Sequence, residues 1–291
     1  MRRIREGNDG FVTRFAPSPT GRLHLGHAFS ALLAHDAAQR AGGRFLLRIE
    51  DIDRARCREE FVAAILEDLA WLGIAWEEPV RRQSAHFADY RAAIARLREA
   101  GLVYPCVCTR KEIAAEVAAA GAAPHGAGKS PYPGTCRRDR ARAKRRIADG
   151  GPFAWRLDCA AALARLESIG RWPLFFTEEG EGDVPVDPAL IGDVVLARKD
   201  TPTSYHLSVV VDDALQDISH VIRGADLREA THVHRLLQAL LDLPSPRYRH
   251  HRLILGRDGR RLAKRDRSAT LQQLRAAGVT PAEIRAELGL A

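Results

Sequence analysis

The sequence has no apolar run near the ~20 residues that a membrane-spanning helix needs. Its first ten residues are charged and carry no apolar core of the secretory type. Neither export nor membrane insertion is expected, and a cytoplasmic location is. Cysteine is sparse, with five in 291 residues. Without an export signal, those five read as thiols or metal ligands and not as disulfides. No internal repeat is visible, which argues against solenoids and propellers. Acid falls short of base: 37 Asp and Glu against 45 Lys and Arg leave a net charge of +8. That balance favours a polyanionic partner such as RNA over an acidic protein. The length allows one large or two modest domains with a real core.

What is present is organised around Arg14-Phe15-Ala16-Pro17-Ser18-Pro19-Thr20-Gly21-Arg22-Leu23-His24-Leu25-Gly26-His27. A short apolar run, Phe11-Val12-Thr13, precedes it as a strand end, and a helical pattern from Ala28 to Ala41 follows. The stretch is thus a strand-to-helix turn, stiffened by Pro17 and Pro19. Gly21 and Gly26 remove side chains where a ligand must approach the backbone. The unpaired amides and positive dipole of a helix N-terminus favour an anion there. His24 and His27 bracket Gly26 at that terminus and can donate to a phosphate as charge develops on it.

Further along, Arg44 to Asp51 reads as a second strand that delivers Glu50, Asp51 and Asp53 at its carboxyl end, where open α/β sheets bind ligands. Helices are expected over about 58–72 and 84–100, closed by Gly73 and Gly101. Thr109 to Glu112 is a capping box that opens another helix. A basic helix carries Arg137, Arg138, Arg140, Arg142, Lys144, Arg145 and Arg146, and Phe153 to Leu157 reads as a strand. The apolar run from Tyr205 to Asp213 fits a buried strand or a buried helix, and periodicity does not choose between them. Ile218 to Arg223 and His251 to Leu255 read as strands, with a helix from Leu227 to Leu241 between them. Thr280-Pro281-Ala282-Glu283 opens a closing helix. Strands alternate with helices in both halves, so a doubly wound parallel α/β sheet is expected.

Two further constellations carry chemistry. In Gly256-Arg257-Asp258-Gly259-Arg260-Arg261-Leu262-Ala263-Lys264-Arg265 a tight turn presents a row of cations to a triphosphate. Cys106 and Cys108 form a C-x-C pair, with Cys136 after a Gly-rich stretch, and three thiolates plus one other group suit tetrahedral zinc. Spacing leaves the fourth ligand open among Tyr132, His125, Asp139 and Cys159, and three buried free thiols are the plainer alternative.

The run from Arg14 to His27 resembles the ATP-binding signature of class I aminoacyl-tRNA synthetases, specifically the glutamyl/glutaminyl branch. Arg261-Leu262-Ala263-Lys264-Arg265 resembles the second signature of that class, its mobile lysine loop, with substitutions at the first, central and last positions. The resemblance implies catalytic roles for His24, His27 and Lys264. It implies ATP contacts at Pro17, Thr20, Gly21, His24, Gly26, His27, Arg261, Leu262 and Lys264, with Mg2+ accompanying the nucleotide. It implies L-glutamate contacts at Arg14, Ser18, Glu50, Tyr205 and Arg223. Chemically, Arg14 or Arg223 can take the side-chain carboxylate bidentately and Glu50 the ammonium. The short relatives of glutamyl-tRNA synthetase carry C-x-C followed by Y-x-x-x-C, so the resemblance points to Tyr132 as fourth ligand of one structural zinc, beside Cys106, Cys108 and Cys136.

The resemblance runs from Arg14 to Arg265, and only residues 266–291 follow, where a full glutamyl-tRNA synthetase carries an anticodon-binding region. It is therefore to the truncated glutamyl-queuosine tRNA(Asp) synthetases. They activate glutamate without tRNA and esterify the queuosine base in the anticodon of tRNA(Asp). On this reading residues 1–103 and 191–291 are two halves of a Rossmann-like catalytic domain. Residues 104–190 are an inserted zinc-binding α+β subdomain whose basic surface holds the tRNA. No anticodon-binding domain and a monomer are expected. A minimal glutamyl-tRNA synthetase, a nucleotidyltransferase of the same superfold and a non-catalytic zinc-stabilised RNA-binding module are the rival readings.

Overall fold

The structure, a computed structural model, describes residues 10–119, 132–198, 201–254 and 269–290. The first half builds a parallel sheet of β1 (Val12–Phe15), β2 (Arg44–Ile49) and β3 (Glu77–Arg82), in the order β1-β2-β3. α1 (Leu25–Arg40) and α2 (Glu59–Trp71) make the crossovers, and α3 (Phe87–Glu99) follows β3. α1 lies close to the sheet because its inner face is built of alanine: Ala28, Ala31, Ala34 and Ala38 are fully buried. Around them pack Leu32, Ile49, Ile65 and Leu69, also fully buried. Each such Leu or Ile contributes ~1.5–3 kcal/mol by leaving water. This packing sets the N-terminus of α1 at the carboxyl end of β1.

A second, antiparallel sheet comprises β4 (Val103–Cys106), β5 (Ala154–Leu157) and β8 (Val195–Arg198). Between β4 and β5 lie α4 (Arg110–Ala119), α5 (Thr135–Arg138) and α6 (Arg140–Ala148). The single basic helix expected there is thus two helices, divided at Asp139, whose carboxylate caps α6 through the Arg142 amide at 2.8 Å. The Thr109–Glu112 capping box forms as expected, each side chain accepting the other residue's backbone amide.

After β5 come α7 (Cys159–Ser168), β6 (Phe175–Glu178) and β7 (Gly182–Pro185), all before β8. After β8 come α8 (Tyr205–Leu215), β9 (His220–Gly224), α9 (Ala230–Leu240) and β10 (Arg247–His251), then α10 (Leu271–Ala276) and α11 (Pro281–Leu288). The third sheet has the order β7-β6-β10-β9, parallel except for the β6-β7 hairpin. β9 lies beside β1: the Ser219 amide donates to the Val12 carbonyl at 3.0 Å, and the Val12 amide donates to Ser219 Oγ at 2.8 Å. The parallel strands therefore run β3-β2-β1 and then β9-β10-β6, with crossover helices in both halves, and the α/β expectation holds.

The run from Tyr205, which the sequence leaves open between strand and helix, is a helix. The strands β3, β6 and β7 have no counterpart in the sequence reading. The last strand ends at His251 instead of beginning there. The expected division at 190 also does not follow the sheets. β6 and β7, before it, join β10, while β8, after it, joins β5.

Candidate active site

A cleft of about 500 Å3 opens at the carboxyl ends of β1, β2 and β9, walled by the N-termini of α1 and α8. Its lining includes Arg14, Pro17, Ser18, His24, Gly26, His27, Glu50, Tyr205 and Arg223. All five expected glutamate contacts are therefore gathered in one place. Of the expected ATP contacts, Thr20 and Gly21 lie in the turn but off this lining, while Arg261, Leu262 and Lys264 lie outside the described residues.

His24 is the N-cap of α1. Its Nδ1 accepts the Gly26 amide at 3.1 Å, and His27 Nδ1 accepts the His24 amide at 3.2 Å. A neutral imidazole that accepts at Nδ1 carries its hydrogen on Nε2. Both rings are thereby fixed as Nε2 donors, their centroids 3.9 Å apart. Gly26 serves this arrangement: a Cβ there would lie 3.1 Å from His24 Cε1 and 3.2 Å from Nδ1. The glycine thus makes room for the capping ring, where the sequence reading assigned the space to a ligand.

The two cleft arginines differ in their partners. Arg14 donates from Nε and Nη2 to the two oxygens of buried Asp213, at 3.0 and 3.3 Å. The edge that the sequence reading offered to a substrate carboxylate is therefore occupied, and its charge compensated. Asp213 also accepts from the fully buried Arg48 at 2.8 Å. Next to it, Asp212 accepts from Arg81 at 2.7 Å, Gln83 at 2.8 Å and Tyr90 at 2.9 Å. Arg223 has no carboxylate in contact among the described residues. Its Nε donates to His250 Nε2 at 3.1 Å, Nη1 meets Tyr205 Oη at 3.3 Å and His234 Nδ1 at 3.2 Å, and Nη2 reaches the Leu227 carbonyl at 3.2 Å and Thr231 Oγ1 at 2.7 Å. These neutral acceptors hold the guanidinium and leave its charge uncancelled.

Of the three acids at the end of β2, only Glu50 lines the cleft. Burial pushes its carboxyl up to about 7, against the pull of Arg48 and Arg14. Asp51 is held by the Ser84 amide and hydroxyl, each at 2.7 Å, and Asp53 by Arg56 at 2.6 Å.

Away from the cleft, the sulfurs of Cys106, Cys108 and Cys136 lie within 4.8 Å of one another. Tyr132 Oη is 3.4 Å from Cys106 Sγ and 3.6 Å from Cys108 Sγ, and it accepts the Cys136 amide at 2.8 Å. Tetrahedral zinc with Zn–S bonds of ~2.3 Å and a Zn–O bond of ~2.0 Å sets S···O separations of ~3.5 Å. The four donors fit that ion. Asp139 instead caps α6, Cys159 packs in the main core and His125 lies outside the described residues.

The basic helices are less open to a partner than their sequence implies. Arg137 and Arg140 pair with Asp158, and Arg142 and Arg146 with Glu112. Lys144 and Arg145 are exposed, and no carboxylate pairs with them among the described residues.

Sequence reasoning missed Asp213, Arg48, His234, His250 and Thr231. The only local sign was the pair of acids closing the apolar run at Asp212 and Asp213.

Comparison with known proteins follows the same lines. The model of class I tRNA synthetases of the E and Q type, catalytic domain, matches residues 11–291. A protein of Rhodobacter capsulatus named glutamyl-Q tRNA(Asp) synthetase is 50% identical over 96% of this chain and 100% of its own length. One of the same name from Symbiobacterium thermophilum is 45% identical over 92% of this chain and 82% of its own. A crystal structure of a glutamate tRNA ligase from Elizabethkingia meningosepticum, in complex with its amino acid, superposes with a TM-score of 0.71 at 28% identity. It covers 89% of this chain, which spans only 52% of that one. A methionyl-tRNA synthetase from Mycobacterium tuberculosis, at 12% identity and a TM-score of 0.59, shares the fold. The chain belongs to the class I tRNA synthetases of the E and Q type, in the group of the glutamyl-Q tRNA(Asp) synthetases, and is a ligase.

Proposed function

We propose that the protein activates L-glutamate with ATP, without tRNA, and then transfers the glutamyl group to the queuosine base in the anticodon of tRNA(Asp). The observation that carries the reading is the buried, uncompensated Arg223 in the same cleft as two Nε2–H histidines. One end selects an anionic side chain and the other a phosphate.

Glutamate enters with its side-chain carboxylate toward Arg223 and Tyr205 and its ammonium toward Glu50. All five Arg223 N–H groups have acceptors in the free protein. The substrate carboxylate therefore displaces the longest of these contacts, that to Tyr205 at 3.3 Å, and the phenol turns its hydrogen to the substrate. Arg14, tied to Asp213, orients the substrate near the reacting carboxylate, and Ser18 adds a contact. A carboxylate oxygen then attacks the α-phosphorus, the P–O bond forms, and the bond to pyrophosphate breaks. No enzyme nucleophile is needed. His24 and His27 donate from Nε2 to the phosphate as negative charge grows, and Lys264, with Arg261 and Leu262, serves the leaving pyrophosphate. Mg2+ accompanies the nucleotide as part of the substrate. In the second step a ring hydroxyl of queuosine attacks the acyl carbon and AMP leaves.

Cys106, Cys108, Cys136 and Tyr132 are suited to hold one zinc, which would cross-link the end of β4 to α5 and take no part in the chemistry. The exposed Lys144 and Arg145 suit phosphate contacts with the RNA. The deciding experiment supplies ATP and labelled glutamate with tRNA(Asp) from cells with and without queuosine, and with tRNA(Glu). Label should enter queuosine-bearing tRNA(Asp) alone. Efficient charging of tRNA(Glu) without queuosine would replace this reading with a minimal glutamyl-tRNA synthetase.

A further inference from the structure

Behind Arg223 stands a chain of groups that no step above uses. The His250 side chain is almost fully buried. Its Nδ1 lies 2.7 Å from Glu178 Oε2, and the His250 amide donates to Glu178 Oε1 at 2.7 Å. A carboxylate beside Nδ1 fixes the hydrogen there, so Nε2 is left as an acceptor, and it accepts from Arg223 Nε. His234, on α9, accepts from Arg223 Nη1 at Nδ1, and its Nε2 lies 3.2 Å from His206 Nδ1. The Arg223 guanidinium also lies over the Tyr248 ring, 5.4 Å from its centroid. Glu178 is one residue removed: its carboxylate touches the imidazole and not the guanidinium. The contrast with Arg14, which sits directly on Asp213, is complete within one cleft.

We propose that His234 and His250 are positioning residues for amino-acid selection: as neutral acceptors they fix the Arg223 guanidinium in place while leaving its charge for an anionic substrate side chain. A carboxylate at either position would hold the arginine equally well and cancel what the substrate must meet. Burial and the neighbouring Arg223 push the His250 imidazole down to about 4, and His234 lower than its ordinary value, which keeps both neutral at physiological pH. A fixed, fully charged guanidinium also rejects the amide analogue. Glutamine would turn N–H groups toward donors that cannot reverse, whereas a loosely held arginine could rotate to donate to its carbonyl alone.

This inference rests on the glutamate reading above, and its test separates the two. Glutamate-dependent ATP–pyrophosphate exchange is measured in the full chain for His234→Asn and His234→Asp. The two substitutes match in size, and each offers an oxygen where Nδ1 stood. They differ in charge. The KM for glutamate should stay within ~3-fold in His234→Asn and rise ~100-fold in His234→Asp, the scale of a lost charge-assisted contact, with the KM for ATP unchanged. The pair His250→Gln and His250→Leu repeats the test. Glutamine keeps an acceptor near the Nε2 position, so the KM for glutamate should hold, while leucine should raise it ~10-fold and narrow the preference for glutamate over glutamine. Thermal unfolding monitors each variant, and should His234→Asp not fold, the His250 pair decides. Absence of glutamate-dependent exchange in the unaltered protein would overturn the substrate reading itself. Normal exchange with equal KM values for His234→Asn and His234→Asp, or for His250→Gln and His250→Leu, would overturn only this inference.

Discussion

The backbone of His24 pairs with that of Thr270 in an isolated antiparallel bridge, and the next amide, Leu271, donates to the Leu23 carbonyl at 2.9 Å. The residue that caps α1 thus also receives the chain on its return after residue 268. Ile254, on the outgoing side, lines the cleft. The described residues Ile254 and Thr270 thus lie at or beside the site, and Lys264, proposed to act on the triphosphate, lies between them in sequence. Lys264→Ala should slow glutamate-dependent pyrophosphate exchange by ~10²-fold or more, the scale of losing one preorganised charge donor, with little change in KM for glutamate. Exchange at the normal rate in that variant would remove Lys264 from the mechanism.

His24 combines two roles that a substitution can separate. Nδ1 caps the helix, and Nε2–H is the proposed phosphate donor. Asparagine is a good N-cap and has no group at the Nε2 position. His24→Asn should thus keep its thermal stability close to that of the unaltered protein and lose ~10²-fold or more in exchange rate. His24→Ala should lose the rate and also ~1 kcal/mol of stability with the cap. If His24→Asn retains full activity and His24→Ala alone is destabilised, the ring is only a cap.

The parts of this site that were legible in the sequence are those whose chemistry is local. Arg14 to His27 holds a strand end, a turn and a helix cap within one stretch, so its residue types alone speak of an anion at a helix N-terminus. β3 was invisible for the opposite reason. Glu77 to Arg82 contains a proline and no apolar alternation, because ion pairs hold its end: Arg81 to Asp212 and Asp89, and Arg82 to Asp51 and Glu59. Arg48 follows the apolar run Phe45-Leu46-Leu47 in β2, yet it is fully buried against Asp213, 165 residues away. No periodicity reports such a partner. The helix from Tyr205 stayed ambiguous because Leu207 to Asp213 is buried on every side, which erases the 3.6-residue pattern that separates helix from strand. The cradle of Arg223 draws on α9 and β10, and only the fold brings them together.

The four-donor cluster makes a prediction about metal and about the phenol in particular. Protein purified without chelator should carry about one zinc per chain, and Cys136→Ser should lower that content and destabilise the segment around β4 and α5. Tyr132→Phe removes one donor of four and leaves the thiols in place. Zinc should still bind, with affinity lowered by the loss of the oxygen ligand, and chelator should strip it faster than from the unaltered protein. Metal analysis that finds no zinc in any of these preparations would leave a cluster of buried thiols. Equal stripping rates for Tyr132→Phe and the parent would place the fourth ligand elsewhere.

Glu50 gives the site a pH dependence whose sign follows from its surroundings. Burial raises its carboxyl to about 7, Arg48 and Arg14 oppose the rise, and Asp213 and Asp212 add to it. Near neutrality the free protein therefore holds Glu50 partly protonated. Only the carboxylate pairs with a substrate ammonium, so binding below that value must first expel a proton. The KM for glutamate should be flat above about pH 7 and rise ~10-fold for each unit of pH below it, with the KM for ATP unaffected. The histidines of the Arg223 cradle do not confuse the profile, since burial and the neighbouring Arg223 hold both imidazoles below their ordinary range. Glu50→Gln should have a high KM for glutamate at every pH, because no anion faces the ammonium, and should lose the slope. The two effects must appear together. A slope that persists in Glu50→Gln would assign the titration to another group, and a flat profile in the unaltered protein would mean that Glu50 does not take the ammonium.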